Sequence, residues 1–155
     1  MPVLGLAFLI GVVAGLRAFT APAAVSWAAR LGWLHLENTG PSFLNSAAAA
    51  WILGLMAVAE LINDKLPKTP SRKAPPAFVA RIASGALSGA AVGAASGELT
   101  GGLIAGVVGA VAGTLGGYEA RKRLVAATGG KDFPIALLED AVAVVMGIAV
   151  VGGFR

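Results

Sequence analysis

Residues 77–120 read AFVARIASGALSGAAVGAASGELTGGLIAGVVGAVAGTLGGYEA, and their only charges are Arg81, Glu98 and Glu119. On either side of Glu98 the chain is apolar for roughly 20 residues, enough to cross a hydrocarbon layer of about 30 Å at 1.5 Å per helical residue. Gly85, Gly89, Gly93 and Gly97 recur every four positions before the turn, and Gly109, Gly113 and Gly117 continue the spacing after it. Residues four apart share a helix face, so each helix carries a glycine groove. Such grooves let membrane helices approach until dispersion and Cα–H···O contacts hold them without a hydrophobic driving force. The expectation is a pair of spanning helices packed glycine to glycine through a tight turn.

The same pattern extends outward in both directions. Upstream, residues 3–29 are apolar except for Arg17, and Pro22 predicts one long kinked span or two half-helices with a break near Thr20 to Pro22. A polar link containing Arg30, His35 and Glu37 leads to a second span at 44–66, which ends in Glu60, Asp64 and Lys65. The connector to Pro76 is rich in proline and in Lys and Arg, which makes it an extended loop. Spans at 77–97 and 99–120 follow, then a second basic loop and a last span at 134–153. The fold class is therefore all-α, a polytopic transmembrane bundle of about five spans in one domain over residues 1–155.

Composition supports this and excludes much else. Soluble domains carry about 25% charged residues, whereas this chain has 13% charged, 57% apolar and 22 glycines, with a mean hydropathy of +0.80. There is no cysteine and one histidine, so disulfides, thiolate metal sites and a cysteine nucleophile are excluded, and no cofactor is indicated. The net charge of +4 is explained by topology rather than by nucleic acid. Lys65, Lys68, Arg72, Lys73, Arg81, Arg121, Lys122, Arg123 and Lys131 flank two loops, while Arg30 and Arg155 fall on the other face. Basic loops stay cytoplasmic. If residues 3–29 cross once, the N-terminus is cytoplasmic too; a re-entrant first segment would move it and leave the other spans in place.

Ionisable groups within spans are the candidate site, because each costs about 2.5–3.5 kcal/mol on insertion scales. Counting along the helices puts Arg17 near the midplane, with Glu60, Arg81, Glu139 and Asp140 roughly 5–10 Å towards the basic face. Asp64 and Glu119 fall nearer the mouth. Such a cluster either binds a small ion or polar solute, arginines holding an anion and carboxylates a cation or proton, or ties the bundle together by mutual neutralisation. A weak repeat joins two of its members: Arg81 and Glu139 each lie five positions beyond a proline that closes a basic loop, Pro76 and Pro134.

Gly15-Leu-Arg-Ala-Phe-Thr-Ala-Pro22, Glu60-Leu-Ile-Asn-Asp-Lys-Leu-Pro67, Ala80-Arg-Ile-Ala-Ser-Gly85, Gly117-Tyr-Glu-Ala-Arg-Lys-Arg123 and Leu138-Glu-Asp-Ala141 resemble an uncharacterised bacterial membrane-protein family, domain of unknown function 4126. The resemblance covers nearly the whole chain and implies a small inner-membrane protein with no established activity. Lys122-Arg123, Lys131-Asp132-Phe133-Pro134 and Glu139-Asp140 are similar in order to residues of membrane CTP-dependent lipid cytidylyltransferases, which use Mg²⁺. The glycine-histidine stretch and spaced aspartate pair of those enzymes are missing here. The expected function is transporter- or channel-like, in a homo-oligomer within the bilayer. A Mg²⁺-dependent lipid nucleotidyl- or phosphotransferase and a non-catalytic assembly subunit are the alternatives.

Overall fold

In lipid a backbone amide finds no water, so apolar runs become helices that satisfy their own hydrogen bonds. The computed structural model describes residues 3–37, 39–63, 75–130 and 132–154. These residues form α1 (Val3–Leu16), α2 (Thr20–Arg30), α3 (Ala47–Asn63), α4 (Pro75–Ala94), α5 (Leu99–Ala127) and α6 (Asp132–Gly152), with a 3-10 turn at Gly40–Asn45. Three helices are long and apolar enough to span a membrane: α4, α5 and α6. α3 has 17 residues, the short limit of the spanning range of about 17–25. α5 has 29 and at 1.5 Å per residue outruns the hydrocarbon by roughly 13 Å, which carries Arg121, Lys122 and Arg123 out of it.

The centre is built from glycine. A Cβ placed on Gly89 would lie 2.4 Å from the carbonyl oxygen of Gly102, and one on Gly85 would lie 2.7 Å from that of Gly106, so α4 and α5 touch backbone to backbone. Gly97, with φ +77°, makes the turn between them. The expected packing of these two helices is therefore present, but its α5 members are Gly102 and Gly106. Gly109 and Gly113 face α1 instead, where added Cβ atoms would lie 2.1 Å from the Phe8 oxygen and 2.4 Å from the Val12 oxygen. With glycines on two faces, α5 packs closely against two helices at once.

The first apolar segment is broken, as its proline suggests, but the break falls at residues 17–19, before Pro22. Pro22 sits in the first turn of α2, where its missing N–H has no intrahelical partner to lose. The two halves then run in opposite directions. α1 runs parallel to α5, with Leu4 beside Gly101 and Gly15 beside Ala110. α2 turns back. Gly147 of α6 faces both Val13 and Ala24, at 3.7 and 3.6 Å from a built Cβ, and Leu31 shares a cavity wall with Val151, near the end of α6. The link after α2 returns to the α4–α5 turn, Gly40 lying 3.7 Å from Leu99 by the same measure.

Residues 3–30 thus form a re-entrant hairpin with both ends on one face of the bundle. Of the two arrangements open for residues 3–29, a single crossing or a re-entrant segment, the fold takes the second, and the N-terminal end of α1 lies at the Leu99 end of α5, opposite Arg121–Arg123 and not beside them. Length alone could not separate the two, because two half-helices occupy as many residues as one tilted span.

Candidate functional site

A helix that stops inside a bundle leaves carbonyls unpaired at its C-terminus and N–H groups unpaired at the N-terminus of the next. Here both sets fall at the hairpin tip, Arg17-Ala18-Phe19, and side chains from three other helices meet them. Arg81 of α4 donates through Nη1 to the Gly15 and Leu16 oxygens at 2.8 and 3.0 Å. Thr114 of α5 donates to the Gly15 oxygen at 3.3 Å, and Ser84 of α4 to that of Ala18. Glu60 of α3 accepts from the Ala18 and Phe19 amides at 2.8 and 3.0 Å. Guanidinium at the C-terminal end and carboxylate at the N-terminal end also complement the two half-helix dipoles.

The tip residue itself is charged. Arg17 is 0% exposed; its Nε donates to Asp140 Oδ1 at 2.7 Å, Nη2 donates to the same oxygen, and Nη1 bridges Glu139 Oε1 and the Leu16 oxygen, each at 2.9 Å. Asp140 is buried and Glu139 half-buried, on one turn of α6. A guanidinium suits this site because its planar donors reach two carboxylates and a carbonyl at once.

The fold therefore brings together Arg17, Glu60, Arg81, Glu139 and Asp140, five of the seven residues singled out from sequence. Arg81 and Glu139, the two members of the weak repeat, both reach the tip. Glu119 does not join them; it is exposed on α5, more than one turn beyond Thr114. Asp64 lies outside the described residues, as do Lys65, Lys68, Arg72, Lys73, Lys131 and Arg155. Sequence reasoning missed Ser84 and Thr114. Their signal was an isolated hydroxyl beside a glycine, at Gly85 and Gly113, but serine and threonine in membrane helices also bond their own backbone, which blurs it. Among the described residues no three His, Cys, Asp or Glu side chains converge as metal ligands.

The two bonds to Glu60 give a direct test of how the tip is held. Glu60→Ala is expected to lower stability by about 1–3 kcal/mol, since it strands two part-buried donors. Amide exchange at Ala18 and Phe19 should accelerate with it. Glu60→Gln, which keeps one acceptor oxygen, should fall between the two.

One family description matches the chain: Domain of unknown function (DUF4126), over residues 4–152. No curated protein and no solved structure matches it.

Proposed function

We propose, from the premise that the chain belongs to the family of domain of unknown function (DUF4126), that this membrane-embedded helical protein is transporter- or channel-like and binds a small ion or polar solute at the hairpin tip. The observation that carries the reading is a helix interrupted inside the bundle, with both of its free ends and an Arg17–Glu139–Asp140 ion-pair group at one place. Discontinuous helices of this kind place backbone dipoles and charged side chains at mid-membrane, where secondary transporters hold their cargo. In this reading Arg81 and Glu60 fix the tip, and the carboxylates of Glu139 and Asp140 exchange the Arg17 guanidinium for a cation or a proton. By the same logic as the basic loops, the Arg121–Arg123 end lies in the cytoplasm of a bacterial inner membrane and both ends of the hairpin lie outside.

The transferase reading gains nothing from this arrangement. Among the described residues no three His, Cys, Asp or Glu side chains converge as metal ligands there.

The test is flux into proteoliposomes, followed for protons with a pH-sensitive dye and for Na⁺, K⁺ and Cl⁻ with ion-selective electrodes. Wild type should move at least one of these, and Glu139→Gln should slow it at least tenfold while Glu119→Gln leaves it unchanged. Equal flux in wild type, Glu139→Gln and empty vesicles, with helical content intact, would end the proposal.

A further inference from the structure

We propose that the cavity bounded by α2, α3 and α6 binds one acyl chain of an anionic phospholipid, with its head at Arg30. α3 and α6 both pack against α2 but leave a gap between themselves, and the gap holds about 430 Å³. Its floor is the small-residue side of α2, Ala23, Ala24 and Ala28, and its walls include Leu61 of α3 and Val144 and Ile148 of α6. Carbon lines it almost throughout, so water would find no partners there.

Length and setting point to the occupant. From Thr20 to Leu31 the cavity follows α2 for roughly 16 Å and opens along one side. In a bilayer that side faces lipid tails, so a hydrocarbon chain is the occupant at hand, and each methylene that enters gains dispersion contacts with three walls in place of fluid neighbours.

Charge then selects the head. At the open end, Leu31 lines the cavity and is 60% exposed, and the residue before it is Arg30, also exposed. Among the described residues nothing pairs with the Arg30 guanidinium. It stands on the face opposite Arg121–Arg123, where few other basic residues are found. A phosphate at headgroup level above the tail meets a bidentate donor there. The hairpin thus carries two sites: a polar one at its tip, and a lipid one along the outer side of its returning arm.

The experiment is native mass spectrometry of the full chain, stripped of lipid and titrated in micelles with phosphatidylglycerol, phosphatidylcholine or inorganic phosphate. One phosphatidylglycerol should be retained per chain, at least tenfold more readily than phosphatidylcholine. Ala57→Phe and Val144→Phe, which fill the cavity from opposite walls, should each reduce retention at least tenfold. Arg30→Gln should bring phosphatidylglycerol down to the level of phosphatidylcholine. Because the two filling variants act from different helices, one that misfolds leaves the other to report. Undiminished retention in a folded filling variant, uptake of many lipids without a one-to-one plateau, or displacement of the lipid by inorganic phosphate would each overturn the acyl-chain site. Retention of both lipids alike by wild type would overturn the role of Arg30.

Discussion

Gly106→Val is expected to prevent stable assembly of the bundle. Its Cβ would lie 2.1 Å from the Gly85 oxygen and 2.9 Å from the Gly89 Cα, both backbone atoms that cannot rotate away. On the neighbouring side, a Cβ at Gly11 would meet the Gly106 oxygen at 2.3 Å, so α1 closes on the same residue that α4 does. The side chain can be admitted only by moving two helices apart, and every close contact along both glycine grooves is lost with it. Overpacking of this kind costs on the order of 3 kcal/mol or more, because the strain and the lost dispersion add. The control is Gly116→Ala on the same helix, where a Cβ meets nothing within 4 Å. That substitution should raise stability by about 0.5–1 kcal/mol through helix propensity alone. Both are read from loss of helical circular dichroism on heating in micelles. A wild-type melting curve for Gly106→Val would mean that α1, α4 and α5 do not meet at this glycine.

The contrast between these two glycines shows what the sequence could say about the fold. Apolar runs between bunched charges specify the helices, since hydropathy and length are properties of each segment by itself. The four-residue spacing of Gly85, Gly89 and Gly93 likewise marks one face of α4. On α5, however, glycines stand at 101, 102, 106, 109, 113, 116 and 117, and so many small residues leave no single face to infer. Spacing chose Gly109 and Gly113 for α4, whereas the fold gives that place to Gly102 and Gly106. Reversal of the chain at Arg17 was equally hidden. A break is legible from Pro22, but its angle depends on what meets the freed carbonyls and amides, and those partners, Arg81, Thr114, Ser84 and Glu60, come from distant segments. Charge depth did bring five residues to one centre, because an ionised group in lipid must find a counter-charge or a freed backbone dipole, and only a few lie at the same level.

Arg17→Met is expected to destabilise the protein more than any other side-chain change at the tip. The guanidinium is fully buried and holds Asp140 by two donors and Glu139 by a third, so its removal leaves two carboxylates without it in a low-dielectric interior. Breaking one side of a buried pair costs about 3–5 kcal/mol, much of it the penalty of the charge left behind. Arg17→Lys should recover only part of this, because an ammonium is a point donor and cannot reach Asp140, Glu139 and the Leu16 oxygen in one plane. The double variant Arg17→Met with Asp140→Leu separates the two terms. If the ion pair only holds the hairpin, removing both partners should restore most of the stability, with a coupling energy of about 0.5–3 kcal/mol between the sites. Flux measured on the same double variant then distinguishes glue from site: a folded bundle that still moves ions would show that the Arg17–Asp140 pair serves structure alone. A folded bundle that no longer does so would assign the pair to the cargo. Stability of Arg17→Met indistinguishable from wild type would mean that the carboxylates of α6 do not depend on this arginine, and the tip would then have to be held by Arg81 and Glu60 without it.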